Sequence, residues 1–303
     1  MTLIKGNLNM KKIAISAILI GLMGFAQADV TVYGKMRVYE ESSTVAGASV
    51  TSLTNDTSRI GFKGSEDLGN GIKANFTIEA GVGADAPSAS TIGDRVSTVG
   101  LSSSIGSVAF GRDKHSLTKA IDNFDAMGGV LFGSSAGITH TAQGTRISNG
   151  VFFSASPVTG LAVNYQFANS EVAGTPNTQA ASLVYSTGPL SVTVARYDNG
   201  LTSASNLYGA KFNMAKSGTT LFTMYSDDTV AGVSKTGKSI GVTQVLGKQV
   251  TALASYGENN TTKSYNVGAN YALSKNTLVL ARYVKETAAT DTQRVGLGLE
   301  MNF

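Results

Sequence analysis

The chain is predicted to be all-β, a transmembrane antiparallel β-barrel of about sixteen strands, and three observations carry that expectation. The first is strict alternation at the C-terminus. Val295, Leu297, Leu299, Met301 and Phe303 fall on one face of a strand, and Arg294, Gly296, Gly298, Glu300 and Asn302 on the other. A strand with one apolar and one polar or tiny face fits a barrel wall with lipid outside and water inside. The second is an export signal at the other end. The third is a rhythm of short and long connections that closes on an even strand number.

The export signal occupies residues 1–28. Met10-Lys-Lys12 supplies a positive start, Ile13 to Phe25 an apolar stretch, and Ala26-Gln-Ala28 a cleavage site before Asp29. The apolar stretch falls well short of the roughly 20 residues a spanning helix needs. Residues 1–9 lack leader character, so Met10 is the expected start and cleavage is expected after Ala28. Three of the 24 basic residues (Lys5, Lys11, Lys12) precede Asp29, which leaves 21 against 20 acids, a net charge of +1. The basic balance of the whole chain therefore gives no argument for nucleic acid as a partner. The absence of cysteine excludes disulfides and thiolate metal sites.

Along residues 29–303 seven short turns rich in glycine, proline, asparagine or lysine are expected. They lie at 65–71, 102–107, 156–160, 186–189, 213–218, 246–248 and 273–276. Eight longer, more polar connections centre near residues 48, 88, 128, 173, 201, 232, 259 and 288. Fifteen connections imply sixteen strands in a single barrel domain, with both chain ends on the short-turn side. The segments between them alternate. Ile72, Ala74, Phe76, Ile78 and Ala80 oppose Lys73, Asn75, Thr77 and Glu79, and Tyr265, Val267, Ala269 and Tyr271 oppose Ser264, Asn266, Gly268 and Asn270. A soluble sandwich also alternates, but here the polar face carries Lys, Arg, Asn, Thr and Gly in strand after strand, and no helical pattern covers the apolar one. Tyr165, Tyr185, Tyr225, Tyr256 and Tyr271, near strand ends, suit interfacial belts.

Parity assigns the first cations. On the first strand Val30, Val32, Gly34, Met36 and Val38 face out, which turns Lys35 and Arg37 to water. On the second, Ile60, Phe62 and Gly64 face out, and Arg59 and Lys63 face in. Four cations on one wall sector make a field that steers solutes. Arg112 shares the parity of Val108 and Phe110, which argues against the lumen.

The stretch Ser58-Arg-Ile-Gly-Phe-Lys-Gly-Ser-Glu-Asp-Leu-Gly-Asn-Gly-Ile-Lys-Ala74 resembles the second strand, first turn and third strand of Gram-negative general porins, above all the β-proteobacterial and neisserial type. Val99-Gly-Leu101 through Phe110-Gly-Arg112, Asn270 to Thr277 and the terminal Phe303 resemble the same family. The resemblance implies a homotrimer of sixteen-stranded barrels in the outer membrane, each a water-filled channel for passive diffusion of ions and small hydrophilic solutes. It also implies that the third external loop folds into the lumen. Lipid and lipopolysaccharide of that membrane, and the barrel-assembly machinery that reads Phe303, are the implied partners. Arg95 joins the basic wall by resemblance, although its own strand alternates too poorly to assign a face. The outer faces around Gly34 and Gly64 are expected at the subunit contact, because small residues permit close approach.

Loop three is expected over Asp113 to Arg146, the longest connection, with a helical turn or two in Leu117 to Asp125. Leu117, Ala120, Ile121 and Phe124 would pin it to the wall, and Asp122 and Asp125, at i and i+3, would face the channel. Asp125 precedes Met127-Gly-Gly129, which resembles the family's loop tip. A substrate-selective channel is the alternative function, and a barrel enzyme or an adhesive surface protein the third. An enzyme needs a nucleophile beside a base. Only His115 and His140 are present, best read as solvated loop residues, and neither nucleophile elbow, metal-ligand spacing nor phosphate loop occurs. No catalytic residue, metal or cofactor is expected.

Overall fold

The computed structural model describes residues 29–86, 90–128 and 146–303. The leader and its cleavage site lie outside the described residues, as do Gly129 and His140. The strands are β1 (Asp29–Val45), β2 (Ala48–Asn55), β3 (Arg59–Gly69), β4 (Ile72–Gly81), β5 (Val96–Ser103), β6 (Gly106–Lys114), β7 (Arg146–Val158), β8 (Leu161–Ala168) and β9 (Thr178–Thr187). They continue as β10 (Leu190–Asp198), β11 (Ala204–Met214), β12 (Thr219–Val230), β13 (Val233–Leu246), β14 (Val250–Asn259), β15 (Lys263–Ala272), β16 (Thr277–Thr287) and β17 (Thr292–Asn302). Each pairs antiparallel with its neighbours, and β17 closes the barrel on β1.

Seventeen segments make sixteen wall strands, because β2 and β3 both pair with β1 and are halves of one strand. The interruption is held by β1. Asp56 donates its backbone N–H to the Arg37 carbonyl at 3.0 Å. Arg37 N–H donates to Ser58 Oγ at 2.9 Å, and Thr57 between them takes a φ of 62°. The missing ladder bonds are thus replaced rather than left unmade, as a buried backbone requires.

All seven short turns fall where alternation expects them. Asn70-Gly71 shows why: φ of 53° and 75° places both residues in the left-handed region of a type I′ hairpin, whose twist matches the strands. The expected long connections near 48 and 232 differ. They are two-residue hairpins at Ala46-Gly47 and Ala231-Gly232. Their polar flanks, Ala48 to Asn55 among them, continue as strand, since a polar residue costs nothing on a sheet standing in water.

Closure at the C-terminus involves the last residue itself. Phe303 N–H donates to the Gly34 carbonyl at 3.1 Å, and Gly34 N–H returns to Phe303 O at 2.8 Å. A Cβ built on Gly34 would lie 2.3 Å from Phe303 Cζ, and one on Gly64 would lie 2.4 Å from Phe76 Cε1. Both glycines are therefore covered by aromatic rings of the same chain. The space expected to admit a neighbouring subunit is filled from within, which moves any contact there onto the rings.

Among the described residues the one helix is α1 (Ser116–Phe124), which lies inside the barrel. Leu117, Ala120, Ile121 and Phe124 are buried against Ile147, Phe152, Ala168, Ala180, Ala195, Tyr197, Leu207 and Met224 of the inner wall. A nine-residue helix is marginal in water on its own. Burying its three large side chains at about 1.5–3 kcal/mol each supplies what local propensity does not.

Candidate functional site

In the order of the strands around the barrel, α1 sits against β8 to β12. The cations of β1 and β3 lie about half a circumference away. The two sectors face each other across the lumen.

The basic sector is built by register. Lys35 pairs with Arg59, Thr31 with Lys63, and Arg37 with Glu300. Two carboxylates organise the cluster. Glu300 of β17 takes Arg37 at 2.5 Å (Nη2) and Lys35 at 3.5 Å. Glu79 of β4 takes Arg59 Nε at 3.3 Å and Arg95 Nε at 2.7 Å. Asp56, wholly buried in the strand interruption, holds Arg37 Nη1 at 3.2 Å. Tyr33 donates its hydroxyl to Glu79 Oε2 at 3.2 Å, and Lys63 Nζ stands 5.4 Å from the Tyr33 ring centroid. Gly61 makes this possible: a Cβ there would lie 2.5 Å from Tyr33 Cζ, so only glycine lets the ring lie flat on the wall.

All five expected cations, Lys35, Arg37, Arg59, Lys63 and Arg95, thus occupy one inner sector. Arg95 gets there although it precedes β5 with the wrong parity, because its long side chain folds back onto Glu79. Arg112 does not join. Its Nε donates to the Asp94 carbonyl at 2.7 Å and Nη1 to Ser148 Oγ at 2.6 Å. Sequence reasoning missed the role of Glu79, Glu300 and Asp56. Parity placed the first two on the polar face, but only register shows which cations they neutralise. Arg146 at the start of β7 was missed too, and it pairs in register with Lys114.

The opposite sector is small and dry. Ala168, Ala180, Ala195, Ser182 and Thr193 line the wall behind α1. Gly209 completes the bed, since a Cβ there would lie 3.1 Å from Phe124 Cδ1. His115 departs from its expected solvated state. It is fully buried, caps the helix by accepting Thr118 N–H at Nδ1 (3.3 Å), and packs its ring 4.5 Å from Tyr197. Ser116 N–H donates to Gln166 Oε1 at 2.8 Å, fixing the same helix end to β8.

The two loop acids part company. Asp122 lies on the half-exposed side of α1 and forms an ion pair with Lys114. Asp125 is beyond the helix, in an extended conformation (φ −93°, ψ 125°), and only 4% exposed. Its Oδ1 accepts Met127 N–H at 3.2 Å, closing the turn that Gly128 (φ 78°) completes. The i, i+3 argument for a shared face fails because the helix ends one residue too early.

A family model described as Gram-negative porin matches residues 14–290. The chain belongs to that family. Porins are outer-membrane channels rather than enzymes, and the closed barrel fits that setting. Major outer membrane protein P.IB of Neisseria meningitidis serogroup B is 34% identical over 182 residues, 56% of this chain and 53% of that protein. Outer membrane porin protein 32 of Delftia acidovorans is 34% identical over 143 residues, 45% and 41% of the two chains. The chain spans about half the length of the curated relatives it matches. Among solved structures, an anion-selective porin from Comamonas acidovorans superposes with a TM-score of 0.81 at 21% identity, covering 91% of this chain and 100% of that one. Salmonella typhi OmpF gives 0.75 at 18%, covering 91% and 98%. At such identities the likeness speaks for the fold.

Proposed function

We propose that this porin forms a water-filled channel for passive diffusion of ions and small hydrophilic solutes, assembled as a homotrimer and inserted through recognition of its Phe303-terminated strand. The observation that carries the channel reading is α1 pinned inside the barrel across from the cluster of Lys35, Arg37, Arg59, Lys63 and Arg95. Asp122, half-exposed and paired with Lys114, supplies the acid of the facing loop, and Asp125 supports it by holding the turn. Trimeric assembly is supported by a barrel of similar fold, OmpT of Vibrio cholerae, which is described in a trimer form.

The same cluster favours anions. Its five cations meet three carboxylates, Glu79, Glu300 and Asp56, and the surplus positive charge lies across the lumen from α1. At 0.1 M salt the Debye length is about 10 Å, so charges in distant loops contribute little. The Comamonas porin is described as anion-selective. Reversal potentials across a salt gradient in planar bilayers test the reading. R59Q/K63Q is expected to shift selectivity toward cations, and D122N toward anions. A closed barrel with no conductance, or no shift in either variant, overturns it. Liposome swelling with solutes of graded size separates a general pore from a substrate-selective one.

A further inference from the structure

The wall that carries α1 is uncharged where the helix covers it, and a cation stands at its short-turn edge. On β11 the inward-facing residues run Leu207, Gly209, Lys211 toward the turn at 213–218. Leu207 packs in the helix–wall core, and Gly209 lies under Phe124. Lys211 is the next inward residue and only half-buried. Its Nζ donates to the carbonyl of Asn123, in the last turn of α1, at 3.4 Å and stands 5.4 Å from the Phe124 ring centroid. Among the described residues no carboxylate lies within ion-pair distance of it. The acids on either side of Asn123 are engaged elsewhere, Asp122 with Lys114 and Asp125 in its own turn.

Register sets what flanks this amine. Lys211 pairs with Ser191 of β10, and Ser191 with Ser186 of β9. Both serines are on the inner face and reachable from the lumen, with one hydrogen bond between them, Oγ to Oγ at 2.8 Å. On the other side Lys211 pairs with Phe222 of β12, and Phe222 with Gly241 of β13. There a Cβ on Gly241 would lie 2.5 Å from Ala126 Cβ, so the turn that follows α1 closes that flank. The open flank of the amine is the serine side.

A lysine on the last carbonyls of a helix is a common arrangement and by itself says nothing of solutes. Two features go further. An ammonium has three donors, and Asn123 accepts one of them. Two hydroxyls that share one hydrogen bond keep a second proton to donate, and these serines take no part in the helix–wall core.

We propose that Lys211, with Ser191 and Ser186, is a second anion-binding step of the channel, on the short-turn side of α1, and that it favours small oxyanions, phosphate or carboxylate, over halide. The amine supplies charge, and the hydroxyls supply directed hydrogen bonds. An oxyanion offers two or three separate oxygens to such a set, and a halide offers a single point. Lys63 on the facing wall stands in the same way, 5.4 Å from the Tyr33 ring centroid, so each wall presents an amine resting on an aromatic face. Weak sites in series let an ion enter and leave. The proposal rests on the channel reading and names what that channel prefers.

The test is chloride current through the full protein in planar bilayers, with inorganic phosphate or acetate added to both chambers. Wild-type current is expected to fall with added oxyanion, and block by one of the two alone names the oxyanion. K211M keeps the alkyl stem over Phe124 and removes the charge. It is expected to raise the half-blocking phosphate concentration roughly fivefold, as loss of one exposed charge-assisted hydrogen bond implies. K211R is expected to retain the block. S186A/S191A is expected to weaken it about twofold, as loss of neutral hydrogen bonds in a wet site implies, with a smaller shift in chloride reversal potential than K211M. K216Q removes a cation from the turn between β11 and β12 and is expected to change neither. A K211M channel that is blocked like wild type overturns the proposal. If its solute size limit in liposome swelling also rises, Lys211 is a helix clamp only. A conducting wild type indifferent to both oxyanions overturns this step alone, whereas a wild type that carries no chloride overturns the channel reading itself.

Discussion

The two inner walls of this barrel obey one alternation rule and are built in opposite ways. The wall of β1, β3, β4 and β17 points Lys35, Arg37, Arg59, Lys63, Glu79 and Glu300 inward and stays wet. The wall of β8 to β12 points alanine, serine, threonine and glycine inward and is dry where α1 covers it. Charge needs solvent or partners, so the first wall is organised by ion pairs. A helix needs room and apolar contact, so the second is organised by the absence of bulk. The lumen is thereby narrowed from one side and charged from the other. Neither wall alone would give both properties.

The largest effect is expected from dislodging the helix. Ile121 is 2% exposed in the helix–wall core. Ile121→Asp would bury an unpaired carboxylate, at a cost of several kcal/mol, more than a nine-residue helix withstands. Single-channel conductance and the solute size limit in swelling assays should both rise, while heat-modifiable barrel is retained. A conductance equal to wild type would mean that α1 does not narrow the path.

The charged wall breaks differently. Glu79 serves both Arg59 and Arg95, so Glu79→Gln leaves two partly buried cations without their carboxylate. Removing one member of such a cluster costs about 3–5 kcal/mol when fully buried and less in a wet lumen. A drop in thermal midpoint with a reversal potential shifted toward anions is expected. Glu300→Gln should act in the same direction through Lys35 and Arg37. A shift toward cations in either variant would show that the carboxylates are not what tempers the wall.

Assembly tests the seam within the charged wall. Phe303 closes β17 onto β1 at the edge of the basic sector, with its ring over Gly34. Phe303→Asp is expected to lower outer-membrane levels while export continues, measured by fractionation and by heat-modifiability of the product. Undiminished barrel in the membrane would remove Phe303 from the assembly role.

The smallest effect lies outside both walls. Asn55 donates its backbone N–H to Asp85 Oδ2 at 3.0 Å, and this bond holds the Asp85 carboxyl below its ordinary value. A depressed carboxylate stabilises its contact fully above the unperturbed pKa, and the contribution fades as pH falls through the lowered one. Asp85 should titrate by NMR below the usual ~3.9. Asp85→Asn should leave selectivity at neutral pH unchanged, because the group stands away from both walls.

Much of this was legible residue by residue. Parity alone turned Lys35, Arg37, Arg59 and Lys63 inward, and the turns from Asn70-Gly71 onward set the strand number. Both follow from backbone periodicity, a local property that one chain segment carries within itself. The anchoring residues Leu117, Ala120, Ile121 and Phe124 were legible for the same reason, as a 3.6-residue stripe. Asp125 was misjudged because a helix end depends on what caps it, here a turn closed on Met127 and Gly128. His115 was misjudged because burial belongs to the neighbour, Tyr197 on a strand far away in sequence. Arg95 reaches the lumen against its parity through the length of its side chain and the position of Glu79. The sequence by itself determined which faces are wet and which are greasy, since that is written in alternation. Only the tertiary structure decided which charges meet, which glycines are filled by rings, and which wall receives the helix, because those depend on strand register and barrel closure, which bring together residues hundreds apart such as Arg37 and Glu300.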